Sequence, residues 1–419
     1  MQENTKIAFS QREIKVFIAV IILFSALFRL TAAVGYYSTF DTFWYKGWAL
    51  DISNGLFDIY KRAEKISLDY PPLYLFCLAL TGMGFNFFGA ECDPFTQMFL
   101  LKFWPVFFDC VMIYVLWRIC SKFSPKAGIA AALFWALNPS VIFNTSFWGQ
   151  TDQLMCLLLV VSFYLASQKR PVLACFAFAV AGLTKFQCLY FTPVLLLIVF
   201  YESGFKNLLK GVGAAALTVA AVFLPFMIGS GNINLFYDVY TGGADTYPYC
   251  TLNAFNLYGC FRLNWKPETT ALFGPFTFAS LSSILTFISF AGTIIAIILA
   301  KRKCGFVGGL LIMQCVFMLT VRQHERYQIV VLPFALMAYV IHNDKRFLHI
   351  FSALSVMTLS NQALLLFDIN SENCLWAAPH YNTVMQVFSI INSALFVWTV
   401  YVCLDFMFKK GEIKNDLLN

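Results

Sequence analysis

Apolar runs of about twenty residues recur along the whole chain, and they constrain its fold more than any other feature. A transmembrane helix needs about 20 consecutive apolar residues, because the hydrocarbon core of a bilayer is roughly 30 Å thick. Only 12% of the residues are charged, against about 25% in a typical soluble domain. The sequence does not show the alternating ten-residue segments that predict a transmembrane β-barrel. It therefore predicts an all-α polytopic membrane protein.

The apolar runs predict about twelve membrane-spanning helices, within a range of about eleven to thirteen. Two of them, 171–184 and 187–201, are short for a bilayer of about 30 Å. No soluble domain is expected, so residues 1–419 are interpreted as a single transmembrane domain. The predicted spans are 14–34, 97–119, 125–146, 150–167, 171–184, 187–201, 207–229, 276–300, 304–320, 327–342, 347–366 and 383–408.

The distribution of Lys and Arg predicts the orientation of the chain. The segments predicted to be cytoplasmic hold 18 of the 29 basic residues and 7 of the 22 acidic residues. Because short cytoplasmic loops carry the excess of Lys and Arg, both termini are predicted to be cytoplasmic. No small-residue cleavage site follows the run 14–34, which we interpret as an uncleaved first helix. The net charge of +7 thus reflects topology and does not indicate a nucleic-acid partner.

Residues 71–90 form an apolar run that does not fit the spanning pattern. If this run crossed the membrane, the basic loop at 118–126 would face outward, against the charge rule. We therefore predict that it lies along the outer membrane surface. The predicted outer loops are 35–96, with interfacial helices near 43–56 and 71–88, and 230–275.

Polar residues of the predicted outer side are concentrated in five places. Ionisable groups within a membrane protein are costly and usually face a cavity or a partner. Acids among them suit proton abstraction, and cations suit the binding of an anion. The five places hold Asp41; Asp69 and Tyr70; Gln150 and Asp152; Lys185 and Gln187; and Arg322, His324, Glu325, Arg326 and Tyr327.

Four of these places also have a purely structural interpretation. Lys185 at a helix end can extend its ammonium group to the membrane surface. Asp152 precedes an apolar helix and suits an N-cap. Asp41 can be an ordinary loop acid, and the stretch 322–326 can be a salt-bridged loop at the membrane interface.

Two other sets of residues lie outside the five places. Lys102 and Asp109 are seven residues apart on one helix face, and we expect them to be structural polar groups. The thirteen cysteines show no spacing typical of a metal site, so none is expected. The cysteines in the predicted outer loops, whose pairing stays open, are Cys92, Cys250, Cys260 and Cys374.

At these motifs the sequence resembles the multi-spanning GT-C glycosyltransferases, which use polyprenyl-phosphate sugars. The similarity is greatest to bacterial and archaeal relatives of the second mannosyltransferase of GPI-anchor assembly. The matching motifs follow the order of the family between residues 41 and 327. They are Asp41 after the first helix, YPPL at 70–73, WGQTD at 148–152, TKFQ at 184–187 with Pro193 following, LNAFNLYG at 252–259 and HERY at 324–327.

The resemblance implies a GT-C fold with an outward-facing cavity under the first outer loop. It implies that Asp41 is the catalytic base and that Asp152 is a second acid that binds acceptor or sugar. The residues implied to contact donor phosphate and sugar are Lys185, Gln187, Arg322, His324, Glu325, Arg326 and Tyr327, with Arg326 favoured over Arg322 for the phosphate. Those implied to line the rest of the cavity are Asp69, Tyr70, Gln150, Asn253 and Asn256.

The predicted function is transfer of a mannose-like hexose from a polyprenyl-phosphate donor to an acceptor hydroxyl. The leaving lipid phosphate is anionic and needs cations, while one carboxylate removes the acceptor proton. One base without a covalent nucleophile predicts inversion at the anomeric carbon. No metal or other cofactor is expected. The expected partners are the lipid-linked donor, membrane lipid and a glycan, glycolipid or wall-polymer acceptor on the extracytoplasmic face of a bacterial or archaeal plasma membrane.

The main alternative is a transporter or flippase for a sugar or a lipid-linked sugar. Transporters carry ionisable groups near the bilayer midplane, broken helices and internal repeats, whereas these motifs gather at one surface. A polysaccharide polymerase or ligase is a further alternative and would need a large outer loop rich in Arg and His. The loop 230–275 contains only Arg262 and Lys266 and no His, which disfavours it.

Overall fold

The computed structural model describes residues 10–36, 41–245, 247–300, 303–369 and 382–409, and most of these residues are helical. A π-helix covers Phe143–Trp148, and 3₁₀ helices cover Ile59–Arg62, Phe186–Phe191 and Tyr327–Val330. Strands β1 (Ala271–Phe273) and β2 (Phe276–Thr277) pair in an antiparallel hairpin. The α-helices are α1 (Gln11–Gly35), α2 (Asp41–Ile52), α3 (Leu73–Phe88), α4 (Pro94–Cys120), α5 (Pro125–Ala136), α6 (Pro139–Ile142), α7 (Asp152–Ser167), α8 (Pro171–Gly182), α9 (Thr192–Ser203), α10 (Phe205–Ser230), α11 (Leu235–Asp245), α12 (Leu257–Cys260), α13 (Phe278–Leu299), α14 (Gly305–Leu319), α15 (Val331–His342), α16 (Lys345–Ile369) and α17 (Asn382–Phe408).

Seven helices within the described residues are long and apolar enough to cross a membrane, so the chain is an integral membrane protein. Helices α5 and α6 with the π-helix form an eighth run that is bent by 47°. Each of the twelve predicted spans coincides with a helix or a run of helices. Four of these predicted spans coincide with shorter helices, and that these four cross the membrane stays a prediction. The seven are α1, α4, α10, α13, α17, the run Phe186–Ser203 and the segment Lys345–Phe367 of α16.

The predicted continuous span 125–146 is interrupted in the structure. Asn138 lies between α5 and α6 in an extended conformation, and its side chain accepts hydrogen bonds from Ser140 N and Val141 N. A residue before proline is driven out of the helical region, and proline has no N–H to donate. Pro139 therefore ends one helix and starts the next. The π-helix that follows the break packs against α1 and α4, and its last residue, Trp148, begins the WGQTD motif.

Short helices lie at the centre of the fold and long ones around it. Nearly every residue of α14 and α15 is buried. These two helices pack against each other and against α7, and α15 also packs against α16. Helices α1, α10 and α13 instead expose large apolar side chains such as Phe24, Leu217 and Phe287. The predicted interfacial helices correspond to α2 and α3, which pack together. Cys92, Cys250 and Cys260 are free thiols, and Cys374 lies outside the described residues.

Two buried charges at the contact between α1 and α4 are satisfied by protein groups. Arg29 forms a salt bridge with Asp109 at 2.5 Å, and Trp135 Nε1 donates to the same carboxylate at 2.8 Å. Both charged side chains are fully enclosed. A buried charge needs such partners because desolvation is otherwise too costly. Asp109 therefore has the structural role that its sequence position predicted.

Lys102 is a second fully buried charge on α4, and its partners are backbone carbonyl groups. Its Nζ donates to the carbonyls of Ala33 and Tyr36 at 3.3 and 2.7 Å. It also donates to those of Ser146 and Phe147, both at 2.9 Å. The ends of helices leave carbonyl oxygens without intrahelical partners. Lys102 thus ties the end of α1 to the end of the π-helix.

We expect Lys102→Met to lower the thermal unfolding temperature of the purified protein strongly. The change leaves four carbonyls without this donor, and each buried acceptor that loses its partner costs about 1–3 kcal/mol. Lys46→Met is the matched control, because Lys46 contacts the exposed Glu91 on the surface and such pairs contribute little. An unchanged unfolding temperature for Lys102→Met would contradict this role.

Candidate active site

A cavity of about 650 Å³ lies at the end of the molecule where α2, α11 and the two loops at 63–71 and 324–327 meet. Four of the five predicted places contribute side chains to its wall, and the fifth lies directly behind it. The predicted residues in the wall are Asp41, Asp69, Tyr70, Lys185, Gln187, His324, Arg326 and Tyr327. The structure therefore brings together residues that are up to 286 positions apart in the chain, from 41 to 327.

Helix α2 supplies one wall of the cavity. Its residues Asp41, Trp44, Tyr45 and Trp48 all line the cavity, and they are spaced as i, i+3, i+4 and i+7, which places them on one helix face. Trp48 Nε1 donates to the carbonyl of Ile66 at 2.8 Å. This bond holds the loop that follows α2 beside the same wall of the cavity.

The carboxylate of Asp41 is held by two groups from distant segments. Its Oδ2 accepts a hydrogen bond from Trp148 Nε1, and its Oδ1 lies 3.7 Å from Arg326 Nη2. About a tenth of the Asp41 side chain is exposed, toward the cavity. Asp41 is thus an oriented acid at a cavity wall, which excludes the interpretation as an ordinary loop acid.

The guanidinium of Arg326 is enclosed by an anion and two aromatic rings. Its Nη1 donates to Glu325 Oε1 at 2.5 Å. Its central carbon lies 5.7 Å from the ring of Trp148 and 5.8 Å from that of Tyr327. The buried Nε of Arg326 has no hydrogen-bond partner among the described residues. Arg326 therefore keeps one donor without a partner in the part of the chain that the structure describes.

The charges of the HERY motif differ from those the sequence suggested. Burial lowers the pKa of His324 below its usual value, and the nearby Glu325 does not fully offset this effect. Although burial opposes it, the charge of Arg326 and the contact with His324 bring the pKa of Glu325 down to about 2. At neutral pH His324 is a neutral hydrogen-bonding group, so Arg326 is the cation of this motif.

Lys185 is the second cation of the cavity wall, and its counter-ion lies behind it. Its Nζ donates to Asp152 Oδ1 at 2.5 Å and to Gln150 Oε1 at 3.1 Å, and it lies 5.6 Å from the ring centre of Tyr70. Only about 5% of Lys185 is exposed, so it does not extend to the membrane surface. Asp152 also accepts a hydrogen bond from Asn144 Nδ2 at 3.0 Å. No side-chain hydrogen bond caps the start of α7. The N-cap interpretation of Asp152 is therefore replaced by an ion pair.

Asp69 and Tyr70 form another part of the cavity wall. Tyr70 Oη lies 2.8 Å from Tyr45 Oη, which in turn donates to Gln150 at 3.3 Å. Burial raises the pKa of the Asp69 carboxyl to about 6, and the negative charge of Asp41 raises it as well. Asp69 is thus an acid of the cavity wall that holds its proton to a higher pH than an ordinary aspartic acid.

Asn253, Asn256 and Arg322 do not line the cavity, contrary to expectation. Asn253 Oδ1 accepts from Asn264 and Trp265 at 2.9 and 3.0 Å, and its backbone has a positive φ of 62°. The Asn256 side chain caps α12. Arg322 forms an ion pair with the buried Glu268, with Nε donating at 2.8 Å.

The segment with Asn253 and Asn256 nevertheless supports the cavity through its backbone. Leu252 N donates to the carbonyl of Gln323 at 2.9 Å, and His324 forms β-bridges with Leu252 and Asn253. The LNAFNLYG motif therefore holds the HERY motif in place. These two motifs are close in the fold although about 70 residues separate them in the chain.

Several residues of the site were missed by the predictions from sequence. Trp148 orients Asp41, and Tyr45 connects Tyr70 to Gln150. Gln362 on α16 accepts from Asn144, which bonds Asp152. The spacing of Trp44, Tyr45 and Trp48 from Asp41 places them on one helix face and could have identified them from sequence. Nothing in the sequence around Gln362 indicates its contact with the site. Within the described residues no group of three His, Cys, Asp or Glu could hold a metal ion.

No model of a protein family matches this sequence, and no curated protein matches it. Among solved structures, the chain is similar to the crystal structure of ArnT from Cupriavidus metallidurans bound to undecaprenyl phosphate. The TM-score is 0.44 and the sequence identity is 13%. The similarity covers 95% of this chain and 78% of ArnT.

We expect Asp69→Asn to stabilise the protein increasingly as the pH rises from about 4 to about 6.5. A carboxyl whose pKa is raised by folding binds more protons in the folded state, so stability falls as pH rises through the window between the two pKa values. For Asp69 this window runs from the ordinary 3.8 to about 6. Thermal unfolding of both proteins at several pH values measures the difference, which should be smallest at pH 4. A difference independent of pH would contradict the raised pKa.

Proposed function

We propose that the chain is a GT-C-type glycosyltransferase that moves a mannose-like hexose from a polyprenyl-phosphate donor to an acceptor hydroxyl. The observation that carries the proposal is one cavity in which the carboxylate of Asp41 lies beside the cation Arg326 and which Lys185 also lines. The reaction needs a base for the acceptor and cations for the leaving phosphate. We place this cavity on the extracytoplasmic face, opposite the basic loops.

Asp41 is proposed as the base. Its carboxylate is fixed by Trp148 and Arg326 and still faces the cavity, so it can accept a proton from an acceptor hydroxyl within hydrogen-bond reach. A general base acts best when its orientation is set before the substrate arrives. With a single base and no covalent sugar intermediate, the anomeric configuration inverts.

Lys185 and Arg326 are proposed to bind the donor phosphate. Each has a carboxylate on the side away from the cavity, Asp152 for Lys185 and Glu325 for Arg326, and neither carboxylate is part of the cavity wall. These counter-ions offset the desolvation cost of the two buried cations. The side of each cation that faces the cavity can then bind an anion. Preorganised cations of this kind stabilise the negative charge that develops on a leaving phosphate.

Asp152 accordingly has a different proposed role from the one that the resemblance implied. It is about 1% exposed and bonds Lys185 and Asn144, so it does not meet an acceptor or sugar in this arrangement. We propose that it positions Lys185. Asp69, Tyr70 and Gln187 remain in the wall as candidates for contacts with sugar hydroxyl groups.

Asp41→Asn should abolish hexose transfer and leave donor binding within about threefold of the natural protein. The variant retains the shape of the side chain but cannot accept the proton. The measurement is release of polyprenyl phosphate from a panel of polyprenyl-phosphate hexoses by the purified protein. Asp51→Asn is the control, because Asp51 lies on the same helix and pairs with Arg62 away from the cavity wall.

The same panel separates the proposal from the alternative of a transporter or flippase. Turnover with one hexose identifies the donor and supports the proposal. No turnover with any donor, combined with movement of sugar or lipid-linked sugar in liposomes, would favour transport. Full transfer activity in Asp41→Asn would show that another group is the base.

Lys185→Ala should weaken donor binding by about tenfold or more, since a hydrogen bond to a charged group contributes about 1.5–3 kcal/mol. Asp152→Asn should weaken it less, because Lys185 stays but loses its orienting partner. Binding of a non-transferable donor analogue to both variants measures the effect. Lys61→Ala, an exposed lysine outside the cavity wall, is the control, and equal losses in the control and in Lys185→Ala would contradict a specific contact.

A further inference from the structure

A second cavity, of about 430 Å³, lies at the other end of the same central helices. Helix α7 begins at Asp152 beside the candidate active site and ends at Ser167 in this cavity. Helix α14 begins here at Gly305, and its other end leads to the HERY motif. The 16 residues of α7 span about 24 Å at roughly 1.5 Å per residue. The two cavities are therefore separate and about one helix length apart.

The walls of the second cavity are mainly apolar. They include Phe163, Ile198, Ile297, Phe306 and Ile341, supplied by five different elements. Cavities that bind small molecules are lined mainly by apolar side chains, with a few polar groups that fix orientation. Such walls suit an acyl chain better than a sugar or a nucleotide, which need convergent polar groups.

Two lysines lie at the edge of this cavity, Lys303 in its wall and Lys122 against a wall residue. Lys303 Nζ lies 3.0 Å from Glu202, with about 60% of the lysine side chain exposed. Lys122 Nζ donates to the hydroxyl of Tyr164, a wall residue, at 2.5 Å and lies 5.0 Å from its ring centre. Lys169 and Arg170 follow the wall residue Gln168 directly in the chain and are exposed. Lys303 in the wall and Lys122 beside it thus offer two cations next to one acid, Glu202, and two more cations follow the wall in the chain.

We propose that this second cavity binds one anionic phospholipid of the surrounding bilayer. An acyl chain occupies the apolar cavity, and the phosphate group lies between Lys122 and Lys303. Basic pockets between membrane helices are a known way to bind the head groups of anionic lipids. The apolar wall alone would accept any lipid, whereas the cationic rim selects the anionic one. The proposal does not depend on the function proposed for the first cavity.

The test is binding of phosphatidylglycerol and phosphatidylcholine with identical acyl chains to the delipidated, full-length protein, measured by native mass spectrometry. We expect one phosphatidylglycerol to bind at least about tenfold more tightly than phosphatidylcholine. The double variant Lys122→Gln/Lys303→Gln should lose this preference. The control Lys206→Gln/Lys210→Gln, which changes two exposed lysines on α10 outside the cavity wall, should retain it.

A cavity-filling variant tests the position of the acyl chain. Ala300 lies in the wall at the end of α13, and Ala300→Phe should weaken binding of both phospholipids. Its thermal unfolding, measured without added lipid, shows whether the fold is retained. Asp41→Asn should bind phosphatidylglycerol like the natural protein, so failure of the catalytic proposal is distinguishable from failure of this one.

Three outcomes would overturn the proposal. The first is equal affinity for the two phospholipids. The second is an equal loss of preference in the Lys206→Gln/Lys210→Gln control, which would indicate diffuse surface charge. The third is binding of polyprenyl phosphate, but not of phosphatidylglycerol, that is lost in a folded Ala300→Phe variant, which would assign the cavity to the isoprenoid lipid.

Discussion

The ammonium group of Lys102, with its four carbonyl partners, is the interaction on which the geometry of the candidate active site depends. It joins the end of α1 to the end of the π-helix. Asp41 follows α1 at the start of α2, and Trp148 is the last residue of the π-helix. Carbonyls at helix ends have no intrahelical partner, and Lys102, which is fully buried, supplies one. A single buried lysine therefore connects the segments that carry the acid and the indole that orients it.

Gly149 shows how closely these segments approach. It has a φ of +84°, in the left-handed region that favours glycine. A Cβ added there would lie 3.0 Å from Lys102 Cγ and 3.3 Å from Thr42 Cγ2. The glycine of the WGQTD motif thus lets the chain turn over Lys102 beside α2. The motif combines this turn with Trp148 on one side and Gln150 and Asp152 on the other.

The sequence predicted the helical membrane fold and the gathering of charged motifs, because apolar length and charged residues are visible locally. It did not predict which members of a motif face the cavity. Arg322 and Arg326 are four residues apart, yet Glu268 pairs with the first and Asp41 lies beside the second. That difference depends on contacts across 54 and 285 residues, which no local pattern encodes. The neutral state of His324 depends in the same way on burial.

The C-terminal helices α16 and α17 have a structural role at the candidate active site that their apolar pattern does not reveal. Asn361 on α16 donates to the carbonyl of Asn253 at 2.6 Å and accepts from Phe255 N at 2.9 Å. Asn392 on α17 donates to the carbonyl of Phe255 at 2.7 Å. These amides satisfy the backbone of a buried irregular segment, which is tolerated in a membrane protein only when its polar groups are paired. That segment bonds the HERY motif. The described residues of α16 and α17 therefore help to position Arg326 although none of them lines the cavity.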